Sequence, residues 1–324
     1  MPRVGGLDAA WTGRWSSGTP RISTTRDLST AMRTVSVGVC AYNEENNIGR
    51  SLKSILSQEL SNASLLEVIV ISSASTDRTD EVVGEFVARD SRVRLLVQPK
   101  REGKISAVNL FMSMAKGDIL ALVNADNNLA PGALGALIAL FDDPEVGAAG
   151  GRPVPVNSKD TTIGFAVHML WAMHHRLSLL HPKIGEFIAF RNAGLQIPQG
   201  QSSDEDYIRM ELERRGYRTA YAPDAVVMNK GPETLEDFWE QRVRVNIGEQ
   251  YLKRRFDYQV PTWNMRFLFP ALVGLLQDSR GHLGKAAVAM VLELTARVYA
   301  SVYVTLDKGD KTVWSMVSST KKLD

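Results

Sequence analysis

The chain has 324 residues, room for one large domain and an appendage, and its 38 basic and 36 acidic residues leave a formal net charge of +2. So close a balance gives no global field for nucleic acid, which is excluded as the main partner. A single cysteine, Cys40, forbids an internal disulfide and fits a reducing compartment; within the apolar run Val35 to Ala41 it reads as a small buried hydrophobe.

Residues 1–33 carry Arg3, Arg14, Arg21, Arg26 and Arg33 with no apolar stretch that would serve as a signal-peptide core, so a flexible, mildly basic tail is expected there. From Thr34 onward, short β-branched runs alternate with helical patterns. Strands are expected at Val35–Ala41, Val68–Ile71, Val93–Val97 and Ile119–Val123. Between them, Ile48-Leu52-Ile55-Leu56, Val82-Val83-Phe86-Val87 and Ala107-Leu110-Phe111-Met114 have the spacing of helices with one buried face. A βαβαβαβ order predicts an α/β fold with a mostly parallel sheet flanked by helices, and ligands in such sheets bind beyond the carboxyl ends of the strands.

From about Gly151 to Arg255 the pattern reads as helix-rich, with the run Phe165 to Leu180 and the acidic segment Asp204-Glu205-Asp206. His168, His174, His175 and His181 are spread along and just past that run beside Met169, Trp171 and Met173. They fit an amphipathic helix at a domain or lipid surface better than a zinc site, which would lack cysteine support. The last sector, 256–324, holds two apolar pieces, Phe267–Leu276 interrupted by Pro270 and Ala286–Leu306, and is expected to be a helical appendage to a catalytic unit over 34–255.

Polar clusters follow all four early strands. They are Tyr42-Asn43-Glu44-Glu45; Ser72-Ser73-Ala74-Ser75-Thr76-Asp77-Arg78-Thr79; Gly103-Lys104-Ile105-Ser106-Ala107-Val108-Asn109; and Asn124-Ala125-Asp126. A turn with a helix cap explains any one of them. Four at successive strand ends converge on one cleft, and together they resemble the nucleotide-sugar site of family 2 (GT-A fold) inverting glycosyltransferases, over about Val35 to Arg255.

That resemblance implies a GT-A-type domain acting on a nucleotide diphosphate sugar. Tyr42, Asn43, Glu44 and Asp77 would border the base and ribose with Ser73 beside them, and Lys104 would lie near the phosphates. Asp126 would hold a divalent cation, Mn²⁺ or Mg²⁺. A metal and an ammonium suit the charge that develops on a leaving diphosphate, and a hard cation needs few protein oxygens when phosphates supply the rest. Two departures stand out: Asn124 replaces the first acid of the DxD element, and Ser72-Ser73-Ala74 replaces the usual acidic pair and glycine.

Ser203 or Asp204 can cap a helix whose first turn is acidic. The resemblance adds a general base, carried over to Asp206 with Glu205 beside it and Asp204 left as a solvated cap. A base on one face of the sugar with the diphosphate leaving from the other inverts configuration. Gly185 to Arg191 resembles the stretch lining the acceptor side. Gln241-Arg242-Val243-Arg244-Val245 resembles QxxRW with Val245 for Trp, which argues for one sugar per encounter. Arg244 either contacts diphosphate or pairs with Glu240 or Glu249.

In the appendage, Glu293, Arg297, Ser301 and Thr305 recur every four residues as one polar stripe on an apolar helix. Each charge at a bilayer centre costs about 2.5–3.5 kcal/mol, which disfavours a simple spanning helix. Such a helix can lie along a membrane surface, with Arg254, Arg255, Lys285, Lys308, Lys311, Lys321 and Lys322 near anionic headgroups. It can instead pack on the catalytic unit or in a homo-oligomer. The expected enzyme is therefore cytoplasmic and peripheral at the inner face of the membrane, acting on a hydroxyl of a glycan or lipid-linked acceptor. The rivals are a polyprenyl-phosphate glycosyltransferase, a nucleotidyltransferase or dinucleotide enzyme on a similar sheet, and a degenerate nucleotide- or lipid-binding pseudo-enzyme. The dinucleotide reading lacks a glycine-rich loop after the first strand.

Overall fold

Four parallel strands occupy the places that the β-branched runs predict: β1 (Arg33–Ala41), β2 (Ala63–Ser73), β3 (Val93–Gln98) and β4 (Ile119–Asn124). They are connected through α1 (Ile48–Leu56), α2 (Thr79–Arg89) and α3 (Lys104–Met114). The structure, a computed structural model, describes residues 32–306 apart from Ser202, Gln259 and Ser279. The expected tail up to residue 31, and Lys308, Lys311, Lys321 and Lys322, lie outside the described residues.

Alternation along each strand divides the core in two, because successive side chains point to opposite faces. Val68 and Val70 of β2, with Ile119, Ala121 and Val123 of β4, pack with Ile48, Leu52 and Ile55 of α1 and with α4 (Ala133–Ala139). Their neighbours Ile69, Ile71, Leu120 and Leu122 pack on the other face with Val108 and Phe111 of α3 and Ile208 of α6 (Asp204–Arg214). Both faces are covered, so the strands read as continuous apolar runs.

The sheet continues through a sector expected to be helix-rich, and here the expectation is corrected. β6 (Val146–Pro155), β7 (Phe187–Arg191) and β8 (Arg218–Asn229), with the short β5 (Asn128–Leu129), extend it to eight strands in the order β3-β2-β1-β4-β7-β6-β8-β5. β7 runs antiparallel between β4 and β6, and β8 lies parallel to β6. β6 escapes a pattern search because its inward positions are small. A Cβ on Gly151 would stand 2.6 Å from the carbonyl oxygen of Ala225, and one on Gly150 2.8 Å from that of Lys183.

A helical layer completes the molecule: α5 (Thr162–Leu180), α7 (Leu235–Phe256), α8 (Met265–Asp278) and α9 (Leu283–Thr305). Pro270 lies inside α8 without ending it. α9 packs on α7 and α5 through the buried small residues Ala286, Ala289, Ala296 and Ala300, which let the backbones approach closely. α5 is thus an inner wall rather than a helix at a lipid surface, held between the sheet and α8 and α9.

The polar stripe of α9 also points opposite to a helix floating on a membrane. Arg242 of α7 forms a two-pronged pair with Glu293 at 2.7 and 3.1 Å, Arg297 donates to Glu293 at 2.7 Å, and Gln250 donates to Ser301 at 2.9 Å. Glu293, Arg297 and Ser301 of the stripe meet protein while Thr305 is exposed, and the apolar side faces out, with Leu294 63% and Val291 59% exposed. Among the described residues, α9 is the one helix long and apolar enough to cross a membrane.

Candidate active site

The loops after β1 and β2 are tied into one unit. Asn43, at φ 54°, accepts from the backbone N–H of Thr76 at 2.8 Å, and its own N–H donates to Ser75 Oγ at 3.2 Å. Asp77 accepts from the N–H groups of Glu45 at 3.1 Å and Thr79 at 3.0 Å, while the Glu44 N–H donates to Thr79 Oγ1 at 2.7 Å. Partial burial pushes the Asp77 carboxyl up, but these hydrogen bonds outweigh it and leave its pKa lowered. Neither Asn43 nor Asp77 lines the cleft; Tyr42, Glu44 and Ser73 do. The Arg101 guanidinium lies 4.1 Å from the Tyr42 ring centre and joins this wall, a contribution no motif announced.

Gly103 takes φ 88°, a left-handed conformation that glycine adopts without strain, and so starts α3 with Lys104 at its first position. Lys104 Nζ donates to Glu205 Oε1 at 2.7 Å and approaches Asp204 Oδ2 at 3.1 Å. Burial alone would depress this ammonium, yet the two carboxylates hold its pKa well above the usual lysine value. Across the cleft, Glu186 Oε2 accepts from Asn124 Nδ2 at 2.6 Å and Asn127 Nδ2 at 3.2 Å, which places its charge beside Asp126. Burial, followed by the Glu186 charge, pushes Asp126 up to about 7. Arg244 feels Glu186, Glu205, Asp204 and Asp126, so it belongs to the cleft. Glu249, one of the partners expected for it, is held instead by Lys183 at 2.8 Å, Trp263 Nε1 at 2.8 Å and Thr262 Oγ1 at 3.0 Å.

The acidic first turn of α6 divides by direction. Asp204 is only 2% exposed and approaches Lys104, so it is not a solvated cap; the helix leans on the sheet with this residue inward. Burial, with the adjoining Glu205 charge, raises Asp204 to about 7. Burial also opposes ionisation of Glu205, but Lys104 and a hydrogen bond with Asp204 outweigh it and hold this carboxyl at about 2. Asp206, 5% exposed, accepts from Ser203 Oγ at 2.9 Å. Asp206 lines the same cleft with its Oδ1 unpartnered among the described residues; its strongest charged neighbours are Lys183, Glu249 and Arg209, and burial raises its pKa. Ser203 occupies the N-cap position without capping by its side chain.

Among the described residues no group of three or more His, Cys, Asp or Glu could hold a metal ion. Asp126 and Glu186 nevertheless leave two neighbouring carboxylates at one spot, and that donor set fits a hard cation whose other ligands come from a diphosphate. His174, lowered to about 3 by burial and by the Lys183 charge, is neutral and stands edge-on to Trp171 and Tyr221, which is not a metal site. Cys40 lies in the cleft wall with its thiol pushed up to about 12 by burial, so it is inert.

Lys104, Asp126, Glu186, Glu205, Asp206 and Arg244 all line one cavity of about 1110 Å³. It runs from Tyr42 and Arg101, past Asp126, Lys104 and Glu205, into a space walled by α5, α8 and α9. Small-molecule sites usually take about 300–1,000 Å³.

The family described as Glycosyl transferase family 2 matches residues 36–200, and Glycosyl transferase family group 2 matches residues 119–316. An N-acetylglucosaminyltransferase of Rhizobium meliloti (strain 1021) is 29% identical over 232 residues, 65% of this chain and 54% of the relative. A poly-beta-1,6-N-acetyl-D-glucosamine synthase of Staphylococcus aureus (strain MSSA476) is 28% identical over 231 residues, 67% of this chain and 55% of the relative. The chain therefore spans about half the length of the curated relatives it matches. A mannosyltransferase from Pyrobaculum calidifontis, solved in complex with GDP-Man and Mn²⁺, superposes with a TM-score of 0.61 at 22% identity, covering 86% of this chain and 89% of that one. At that identity the likeness speaks for the fold.

Proposed function

We propose that this chain, which belongs to glycosyl transferase family 2 and is a glycosyltransferase, moves one sugar with inversion from a nucleotide diphosphate sugar to a hydroxyl of a glycan or lipid-linked acceptor. Residues 34–255 form the transferase unit in this reading, and the helices after them bound the acceptor side. The observation that carries it is the charged cluster at the carboxyl ends of the parallel strands, where Lys104 bridges Asp204 and Glu205 in the field of Asp126 and Arg244.

Asp126, with Glu186 beside it, would hold a divalent cation, Mn²⁺ or Mg²⁺, which when bound neutralises charge on the diphosphate. Lys104 and Arg244 supply the other positive groups for the leaving nucleotide. Tyr42, Glu44 and Ser73 line the wall on which base and ribose rest, while Asn43 and Asp77 keep the two loops of that wall in place.

We assign the base to Glu205, with Asp204 beside it. An incoming diphosphate competes for Lys104. Once the ammonium turns to phosphate, Glu205 loses the partner that holds its carboxyl at about 2, and its affinity for a proton rises. The carboxylate then takes the proton from the acceptor hydroxyl as the diphosphate departs from the opposite face. Asp206, with Ser203, Lys183, Arg209 and Glu249 around it, positions α6 against the segment before β7 and against α7.

The outward apolar sides of α8 and α9 support a peripheral seat at the inner face of the membrane; a second copy covering the same sides is the competing arrangement. The decisive experiment for the activity incubates the purified chain and Mn²⁺ with a panel of nucleotide diphosphate sugars, reading nucleotide release and thermal protection. One or more donors should raise the melting temperature and be slowly hydrolysed. A panel with no protection and no release contradicts the reading and favours a degenerate binding protein.

A further inference from the structure

The cavity has two chemistries along its length. Its far arm is walled by Met169, Leu170 and Met173 of α5, Leu268 and Leu272 of α8 and Leu294 of α9. A sugar or peptide lying there would leave its hydroxyl and amide groups without partners, at roughly 2–7 kcal/mol for each buried group. The arm also reaches the outside. Leu294 and Val298 line the cavity and are 63% and 57% exposed, so they form a rim. Met265 and Val302 share that rim, which continues onto Phe269 and Val291 of the outward apolar surface. Between arm and charged end stand Glu293, Arg297 and Trp263, with the Arg297 guanidinium 4.8 Å from the Trp263 ring centre. This collar carries polar groups where a head group would pass from hydrocarbon to the reacting carboxylates.

We propose that the arm between α5, α8 and α9 receives the hydrocarbon chain of a lipid-linked acceptor, entering past Leu294 and Val298 from the membrane-facing surface and holding the acceptor head near Glu205. The proposal rests on the reading of the Asp126, Lys104 and Glu205 end as the donor site. A single flexible chain fits walls of leucine and of methionine, whose unbranched side chain adapts to irregular shapes. The arm is continuous with the charged end, so a chain in it belongs to the molecule that reacts there. Chain length then acts as a specificity element: an acceptor lacking the chain retains the head-group contacts but loses the arm.

The test uses the full chain with hexadecyl β-glucoside carrying a photoactivatable diazirine near the end of its alkyl tail, presented in phosphatidylglycerol liposomes. Crosslinks are mapped by mass spectrometry in the wild type, in Leu272→Trp, which fills the arm, and in Leu294→Trp at the exposed rim, which leaves the core untouched. The proposal expects label on the lining residues of α5, α8 and α9, a several-fold drop in both variants, and competition by unlabelled hexadecyl glucoside. Label confined to outward residues such as Phe269 and Val291, which do not line the cavity, overturns it, as does label unchanged in the variants. Removal of the label by added phosphatidylglycerol, but not by unlabelled glucoside, assigns the arm to a bilayer lipid and also overturns it. The melting shift with nucleotide and Mn²⁺ reads the donor end separately: wild-type protein that labels in the arm without that shift contradicts the donor reading alone.

Discussion

The two ends of the cleft are built on opposite plans. The charged end takes its groups from loops beyond the strands, from the first turns of α3 and α6 and from α7, where Lys104, Asp126, Glu186, Asp204, Glu205 and Arg244 act on one another. The other end takes its walls from helices and pairs its charges with one another, locking Glu293 against Arg242 and Arg297. A rigid sheet edge positions charge for chemistry, whereas packed helices leave a smooth apolar space whose occupant is selected by shape and hydrophobicity. Substitutions at the first end should therefore change turnover, and those at the second should change stability or acceptor choice.

The largest effect is expected at the charged end. Lys104→Ala removes the ammonium shared by the acidic pair and the proposed diphosphate, and kcat/KM should fall by about 10²–10³, measured as nucleotide release at saturating Mn²⁺. Asp126→Ala should abolish the Mn²⁺-dependent part of nucleotide binding in calorimetry while leaving the circular dichroism spectrum unchanged. Full activity in either variant would erase the distinction between the two ends.

At the helical end, Glu293→Gln leaves two arginines without their carboxylate, and unfolding in urea should show a loss of about 3 kcal/mol. Glu293 also predicts a pH signature. Burial raises its pKa, but Arg242 and Arg297 prevail and lower it from 4.5 to about 2. A carboxylate lowered on folding stabilises fully above its unfolded value, and this contribution is lost as pH falls from about 4.5 through about 2. Glu293→Gln should flatten the stability curve in that window; an unchanged slope would place the acid sensitivity elsewhere.

The smallest effect belongs to the loop after β2. Ala74 adopts φ 55°, a conformation that costs an alanine about 1–2 kcal/mol. Ala74→Gly relieves it but adds freedom to the unfolded chain, so a net gain of up to about 1 kcal/mol is expected in thermal unfolding. A loss of stability would show that the alanine methyl makes a contact worth more than the strain.

The legibility of these features in the sequence followed the same division. β1 to β4 stood out because both faces are buried, and their ends could be searched for chemistry because parallel sheets bind ligands there. β6 was hidden by Gly147, Gly150 and Gly151. The acids of α6 were visible as a group, but consecutive helical residues point about 100° apart. Which of Asp204, Glu205 and Asp206 meets Lys104 depends on how α6 docks on the sheet, and that is set by residues far away in the chain. Likewise the spacing of Glu293, Arg297 and Ser301 revealed a stripe, while its inward direction required the partners Arg242 and Gln250 on α7.

The central claim is that Glu205, rather than its neighbour Asp206, faces the reacting sugar. It is tested most directly by steady-state kinetics of Glu205→Gln beside Asp206→Asn, with the donor and acceptor that support turnover. The account predicts that Glu205→Gln lowers kcat on the order of 10²–10⁴-fold with donor KM little changed, and that Asp206→Asn has a much smaller effect on kcat. The reverse pattern would return the base to Asp206, and insensitivity of both would contradict a hydroxyl acceptor and favour a phosphate that is already ionised.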